Sequence, residues 1–272
     1  MIGERNRPAV AGGLNHRRMG DGPPLILLHS LGGSLVQWNP VIDLLAAERE
    51  VIAVDMPGFG DSPELPDHVD PSAANLATAV LDFCDSLDLG GQPDVAGISL
   101  GAWVAIECAR QGQASSVVAL CPAGFWRDLP VATNDKVSKA RRAGRLLAPL
   151  LGPVMWTARG RRRALGRSFQ HPERLSPGEA LAVTRAYVRS PAYPRASLLM
   201  RTGRVDDLST IRAPITIAWA EHDRLVRNKP LKQGILPERV RQVVLHGCGH
   251  VPTWDDPDQV ARVVLEGISA ER

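Results

Sequence analysis

The sequence predicts an α/β fold: a mainly parallel β-sheet flanked by helices, with a helical cap inserted into it. Apolar runs of strand length, rich in Val, Ile and Leu and without strict alternation, recur along the chain. Parallel strands covered on both faces need that composition. Helical stripes separate several of the runs, and strand–helix alternation is the pattern of such a sheet. Between "VVALCPAG" and "APITIAWA" the alternation stops for roughly eighty residues, longer than a plain connection in a compact domain.

In chain order the strand runs are "LILLH" (25–29), "VIAVD" (51–55), "DVAGI" (94–98), "VVAL" (117–120), "ITIAWA" (215–220) and "RQVVLH" (241–246). The segment before Pro23, with "GDGPP", is expected as an antiparallel pair at the sheet edge. The clearest helix runs from Pro71 to Leu87, where Ala73, Leu76, Ala77, Val80, Leu81, Cys84 and Leu87 make one stripe. In "LGAWVAIECAR" the apolar Leu100, Val104 and Ala105 fall at helix spacing, and a further helix starts near "DDPDQVARVVL". The expected division is a core of residues 1–122 and 201–272 with a cap of 123–200.

That cap is distinctive in charge. From Phe125 to Met200 there are 15 Lys and Arg against 4 Asp and Glu. Burying several arginines calls for paired charges, and the cap offers only Asp128, Asp135, Glu173 and Glu179. Most of these arginines are therefore expected to face solvent. Leu146, Leu147, Leu150, Leu151 and Trp156 are expected to roof an apolar pocket.

The whole chain excludes several classes of function. It has 272 residues, 44% hydrophobic and 22% charged, an ordinary globular composition. A net charge of only +3 argues against a dedicated nucleic-acid binder. The N-terminal stretch "MIGERNRPAVAGGLNHRR" has no continuous apolar segment, and "LLAPLLGPVMW" is too short to span a bilayer. The four cysteines, Cys84, Cys108, Cys121 and Cys248, are widely spaced and suggest neither a disulfide framework nor a zinc site. The expected setting is the cytoplasm, without stable membrane insertion. No metal, nicotinamide or phosphate-binding motif is present: "HSLGGS" lacks the lysine of a P-loop, and "PGFGDS" is not a dinucleotide fingerprint. No cofactor and no nucleic acid are expected, and the partner is a small-molecule substrate.

The chemistry centres on "VAGISLGAW", Val95 to Trp103. Ser99 falls between a strand and a helix with Gly97 and Gly101 beside it, the G-x-S-x-G pattern of a nucleophile elbow. A serine hydroxyl is a poor nucleophile at neutral pH until a base accepts its proton. His250 is the expected base: it follows a strand in the glycine-bracketed loop "GCGH". The orienting carboxylate belongs in a loop between serine and histidine. In "ITIAWAEHDRLV" Asp223 is preferred and Glu221 is the alternative; Asp128, after "VVALCPAG", is a remoter candidate. The developing oxyanion needs N–H donors. Leu100, at the start of the helix, and Leu31, in "HSLGGS", are expected to supply them.

Together "LILLHSLGGS", "VIAVDMPGFGDS", "VAGISLGAW", "ITIAWAEHDRLV" and "GCGHVPTWDDPDQVARVV" resemble the α/β-hydrolase superfamily, in its order and over nearly the whole chain. The resemblance implies Ser99 as nucleophile, Asp223 as acid and His250 as base, with Leu31 and Leu100 forming the oxyanion hole. It also implies that "DMPGFGDS" is mainly structural, so Asp55 and Asp61 receive no catalytic role. Ser30 departs from the glycine many relatives carry there. It is placed at the pocket with Trp38, Trp126, Leu150, Trp156 and Val251. A serine at the elbow disfavours dehalogenase and epoxide-hydrolase chemistry, whose relatives use aspartate. Hydrolysis of a carboxylic ester or lactone is the leading expectation. Carbon–carbon hydrolysis of diketone-like substrates, or a hydrolase-like ligand receptor, stay open.

Overall fold

The six apolar runs are strands in the computed structural model, which describes residues 13–126, 141, 151–226 and 236–269. They are β2 (Pro24–Leu28), β3 (Glu50–Val54), β4 (Asp94–Ile98), β5 (Val117–Leu120), β6 (Ile215–Ala220) and β7 (Arg241–Leu245). A further strand, β1 (His16–Met19), completes a seven-stranded sheet in the order β1-β3-β2-β4-β5-β6-β7. Among the described residues before Pro23, β1 is an edge strand antiparallel to β3; every other neighbour is parallel.

Both faces of the sheet are covered, which is why the strands do not alternate in polarity. One face carries Ile26, Leu28, Ile52, Val54, Val95 and Ile217 against α2 (Ala73–Asp85) and α3 (Leu100–Arg110). The other carries Leu25, Leu27, Val51, Ala96, Val118 and Ala218 against α1 (Asn39–Ala46) and α8 (Pro257–Ser269). Helix α2 begins where Ser72 caps it, its hydroxyl accepting the Asn75 N–H at 3.2 Å.

Between β5 and β6 the described chain is helical: α4 (Leu151–Trp156), α5 (Ala158–Leu165), α6 (Pro177–Arg189) and α7 (Tyr193–Thr202). Helix α6 opens with a capping box in which Ser176 and Glu179 satisfy each other's backbone N–H. Met155, Leu165 and Phe169 join the apolar layer of one sheet face, while Tyr193 and Ala196 join the other. This segment therefore straddles the strand ends. Among the described residues no helix is long and apolar enough to cross a membrane.

Most of the described arginines of this segment face solvent, as the sequence predicts. Arg159, Arg162, Arg163, Arg167, Arg185 and Arg189 are exposed, but Arg141 and Arg161 are buried. Both donate to main-chain carbonyls. Arg161 donates to Met155 O at 2.7 Å, and Arg141 donates to Tyr187 O at 3.0 Å and Ser190 O at 2.6 Å. Main-chain oxygens at turns and helix ends hold spare acceptor capacity, and a guanidinium with five donors can use it. Asp128, Leu146, Leu147 and Leu150 lie outside the described residues.

The turn after β3, "DMPGFGDS", is organised by Asp55. Its carboxylate accepts N–H groups from Leu35 at 2.6 Å and Asp61 at 2.9 Å, and the Asn15 amide at 2.7 Å. Gly60 has φ +54 and passes so close that a Cβ there would stand 2.1 Å from Asp55 Oδ2. One buried carboxylate thus ties β1, the loop after β2 and the turn after β3. Replacing Asp55 by Ala leaves those donors without an acceptor and should cost about 3 kcal/mol of stability. The denaturant midpoint should fall at constant m-value; a loss below about 1 kcal/mol would show that water replaces the carboxylate.

Candidate active site

Parallel register carries the candidate residues to one edge of the sheet. Leu28 pairs with Gly97, Ile98 with Leu120, Leu120 with Ala218, and Ala220 with Leu245. The loops bearing Leu31, Ser99, Cys121, Asp223 and His250 all leave the C-terminal ends of adjacent strands.

Ser99 has φ 57 and ψ −110, a conformation that costs a non-glycine residue energy. Its neighbours show why the strain persists. A Cβ on Gly97 would lie 2.2 Å from Gly101 O, and one on Gly101 would lie 2.5 Å from His29 O. Helix α3 is pressed against the backbones of β4 and β2, so the turn has to be completed within one residue. The Ser99 N–H donates to Leu120 O at 2.9 Å, and its carbonyl accepts from Trp103 and Ala123, both at 3.1 Å. At the first position of α3 the Leu100 N–H has no acceptor within the helix.

Two strands away, His250 Nδ1 donates to Asp223 Oδ2 at 2.8 Å. The pair is almost closed to solvent, at 5% exposure for the imidazole and 0% for the carboxylate. Asp223 Oδ1 accepts from the N–H groups of Leu225 at 2.7 Å and Val226 at 2.8 Å, so its oxygens are aimed by the main chain. With Nδ1 committed to the carboxylate, Nε2 is the nitrogen that carries the free lone pair of the neutral ring. Glu221 is elsewhere: it is exposed and accepts the Gly247 N–H at 3.0 Å.

The turn after β2 closes through Gly33 N–H to Ser30 O at 2.8 Å, with Gly32 at φ +72. This is the geometry of a turn that demands glycine at its third position and leaves the N–H of its second residue, Leu31, out of the closing bond. Ser30 is held by Gln37. Its Oγ accepts from Gln37 Nε2 at 3.0 Å and its N–H donates to Gln37 Oε1 at 2.9 Å.

The residues expected to line a pocket separate. Trp156 is 75% exposed, so it roofs nothing; α4 turns Met155 inward instead. Trp38 has no exposed surface and fills the core layer with Leu27, Ile42 and Trp254, which corrects its placement at a pocket wall. Val251 is buried and donates its N–H to Ser168 O at 2.8 Å, tying the His250 loop to the segment before α6. Trp126 is half-buried and donates to Gly203 O at 3.0 Å. A cavity of about 300 Å³ opens instead beside Leu100, lined by Trp103, Glu107, Leu199 and Met200 among others.

A sequence model described as the alpha/beta hydrolase family matches residues 14–263. The chain belongs to the alpha/beta hydrolase family. It is 26% identical over 260 residues, 92% of each chain, to a protein of Escherichia coli O157:H7 named provisionally as the carbamate hydrolase RutD. Among solved structures it resembles the enol-lactonase from Burkholderia xenovorans LB400, with a TM-score of 0.72 and 23% identity, over 96% of this chain and 98% of that one. It also resembles the meta-cleavage product hydrolase CumD from Pseudomonas fluorescens IP01, with a TM-score of 0.70 and 21% identity, over 95% of both chains.

Several site residues of this hydrolase escaped the sequence reading. Cys121 follows β5 with φ 48, and its thiol lies within 4.8 Å of the Asp223 and His250 ligand atoms. Burial, then the Asp223 charge, pushes that thiol well above its usual pKa. Burial thus favours the neutral thiol over the thiolate. Its place at a strand end was the available signal. Asp255 is buried and accepts N–H groups from Gly249 at 2.8 Å, Gln170 at 3.0 Å and His171 at 2.7 Å. It joins the histidine loop to the segment between α5 and α6, and nothing local in "TWDDPD" announces that.

His29, just after β2, is buried beside the Leu31 turn. Nδ1 faces Ser30 O at 2.8 Å and Nε2 accepts the Met56 N–H at 3.0 Å, so the neutral ring serves as both donor and acceptor. Burial lowers its pKa from 6.5, partly opposed by the Asp55 charge and the Ser30 carbonyl. The unfolded chain therefore takes up this proton more readily. The stabilisation is complete above about pH 6.5 and is lost as pH falls towards the lowered value. Unfolding free energy should decline between pH 7 and 5.5 with a slope of at most about 1.4 kcal/mol per pH unit from this group. His29→Gln keeps an acceptor for Met56 and should flatten that slope; an unchanged slope assigns it to other groups.

Proposed function

We propose that this hydrolase works through a Ser99–His250–Asp223 triad and an acyl-enzyme. Its substrate is a carboxylic ester or lactone of a small, largely apolar molecule. The observation that carries the reading is the buried 2.8 Å bond from His250 to Asp223, in the loops after β7 and β6, at the same edge of the sheet as the strained Ser99 elbow after β4. In this mechanism His250 Nε2 takes the Ser99 Oγ proton as Oγ attacks the carbonyl carbon. The N–H groups of Leu31 and Leu100 hold the oxyanion. Collapse expels the alcohol, which receives its proton from His250, and water attacks the acyl-enzyme by the same route. Asp223 keeps the imidazole in the required tautomer and stabilises the imidazolium. A carbamate, as in the name of the RutD relative, offers a carbonyl open to the same attack and belongs in the substrate panel.

Residues 123–200 are assigned as a cap over this site, with the core formed by 1–122 and 201–272. Support comes from contacts at both ends of the site: Ser168 and Gln170 against the histidine loop, and Tyr193 against Gly32.

A fluorophosphonate probe should label the wild type once, on the peptide containing Ser99, and Ser99→Ala should lose labelling and turnover together. Labelling that survives the substitution removes Ser99 from the mechanism. The panel of acetate, butyrate and longer esters, lactones, carbamates and diketones then ranks substrate classes by kcat/KM.

For the acid, Asp223→Asn should fold normally yet lower kcat by several orders of magnitude; the same change in a serine protease costs about 10⁴-fold. Glu221→Gln should stay within a few-fold of wild type, since its carboxylate faces Gly247. The reverse ranking would transfer the role to Glu221.

A further inference from the structure

The main chain of the oxyanion turn is covered by aromatic rings from the segment between β5 and β6. At Gly32, where a Cβ would stand, Tyr187 Cδ2 and Tyr193 Cδ2 each lie 2.9 Å away. The two rings meet edge to face, with centroids 5.1 Å apart and an interplanar angle of 81°. Arg141 lies over the Tyr193 ring, its guanidinium carbon 4.1 Å from the centroid. Its nitrogens donate to Tyr187 O and Ser190 O, and at 3.4 Å to Val188 O. Those carbonyls belong to the end of α6, where helical donors run out and the helix dipole favours a cation. Next to this, Ala192 donates its N–H to Gly58 O at 3.2 Å, and its Cβ fills the space left by the missing side chain of Gly58. The α6–α7 corner is thus seated on two core turns, both with glycine at positive φ.

We propose that Tyr193 and Tyr187, braced by Arg141, are positioning residues that hold the Gly32 turn so that the Leu31 N–H stays aimed at the developing oxyanion. The proposal rests on the triad reading above. A tight turn with Gly32 at φ +72 has no side chain of its own to stop it from swinging. The rings supply the missing wall. An N–H that must meet charge only in the transition state gains most from being fixed in advance, because no reorganisation is then needed at the moment of reaction. Simple packing between cap and core would have a different signature: it would alter stability without separating kcat from KM.

The test uses the full-length enzyme with a p-nitrophenyl ester, and measures kcat, KM and the affinity of a boronic acid that mimics the tetrahedral intermediate. Losing one oxyanion donor costs roughly 10²–10³-fold in kcat, so a slackened turn should cost about 10- to 100-fold. Tyr193→Leu is expected to lower kcat by that factor and weaken boronic acid binding in parallel, with KM little changed. Tyr193→Phe keeps the ring and should restore most of the loss. Should Tyr193→Leu fail to fold, Tyr187→Leu, which removes the half-buried ring, is expected to show the same split. Folded leucine variants with kcat and boronic acid affinity within twofold of wild type would overturn the proposal. So would Tyr193→Phe falling as far as Tyr193→Leu, because the hydroxyl rather than the ring would then be at work. Failure of the triad reading is distinguishable: Ser99→Ala would retain activity whatever happens at Tyr193.

Discussion

The structure turns on how closely helix α3 approaches the sheet. Gly97 and Gly101 let backbone meet backbone where β4 ends and α3 begins, at separations that a single methyl group on either residue would violate. That proximity forces Ser99 into its positive-φ conformation, and two hydrogen bonds to the β5 region keep it there. It also places the open N–H groups at the start of α3 at the strand ends. Such strain costs on the order of 1–3 kcal/mol and persists only where the surroundings over-determine it. Here the surroundings are the buried strands themselves.

Around that fixed point the loops are held by a few buried polar groups, each satisfying several main-chain partners. Asp55 gathers N–H groups from the two neighbouring loops, and Asp255 does so for the histidine loop and the segment before α6. Arg141 and Arg161 reverse the polarity and gather carbonyls. Loops at strand ends carry backbone groups that no ladder pairs, and leaving them buried and unpaired is costly. A charged side chain with several acceptor or donor positions meets that need compactly. It also fixes loop positions that the geometry at Asp223 and His250 depends on.

Much of this was legible in the chain. The parallel strands were readable because burial on both faces removes polarity from consecutive residues, whereas the order of neighbours, in which β3 lies between β1 and β2, came only from the structure. The elbow was readable because only glycine tolerates the contacts at 97 and 101. Asp223 is favoured over Glu221 by a short side chain at the loop tip, and the two carboxylates do point to different partners. Trp156 and Trp38 show the limit. An indole is compatible with a pocket wall, a core or a surface, and its identity does not choose among them.

What the sequence by itself determined are features imposed by local sterics and periodicity: strands, helix stripes, the glycine-flanked serine, and the loops in which a histidine and a carboxylate follow strands. What only the tertiary structure decided are the meetings between segments distant along the chain. The seating of Tyr193 on Gly32, the gathering of residues 170, 171 and 249 by Asp255, and the burial of Arg141 among carbonyls are all of this kind. Each depends on where the segment between β5 and β6 lies against the strand ends. Contacts of that sort leave no periodic trace, because each partner's own neighbours in sequence are unconstrained by them.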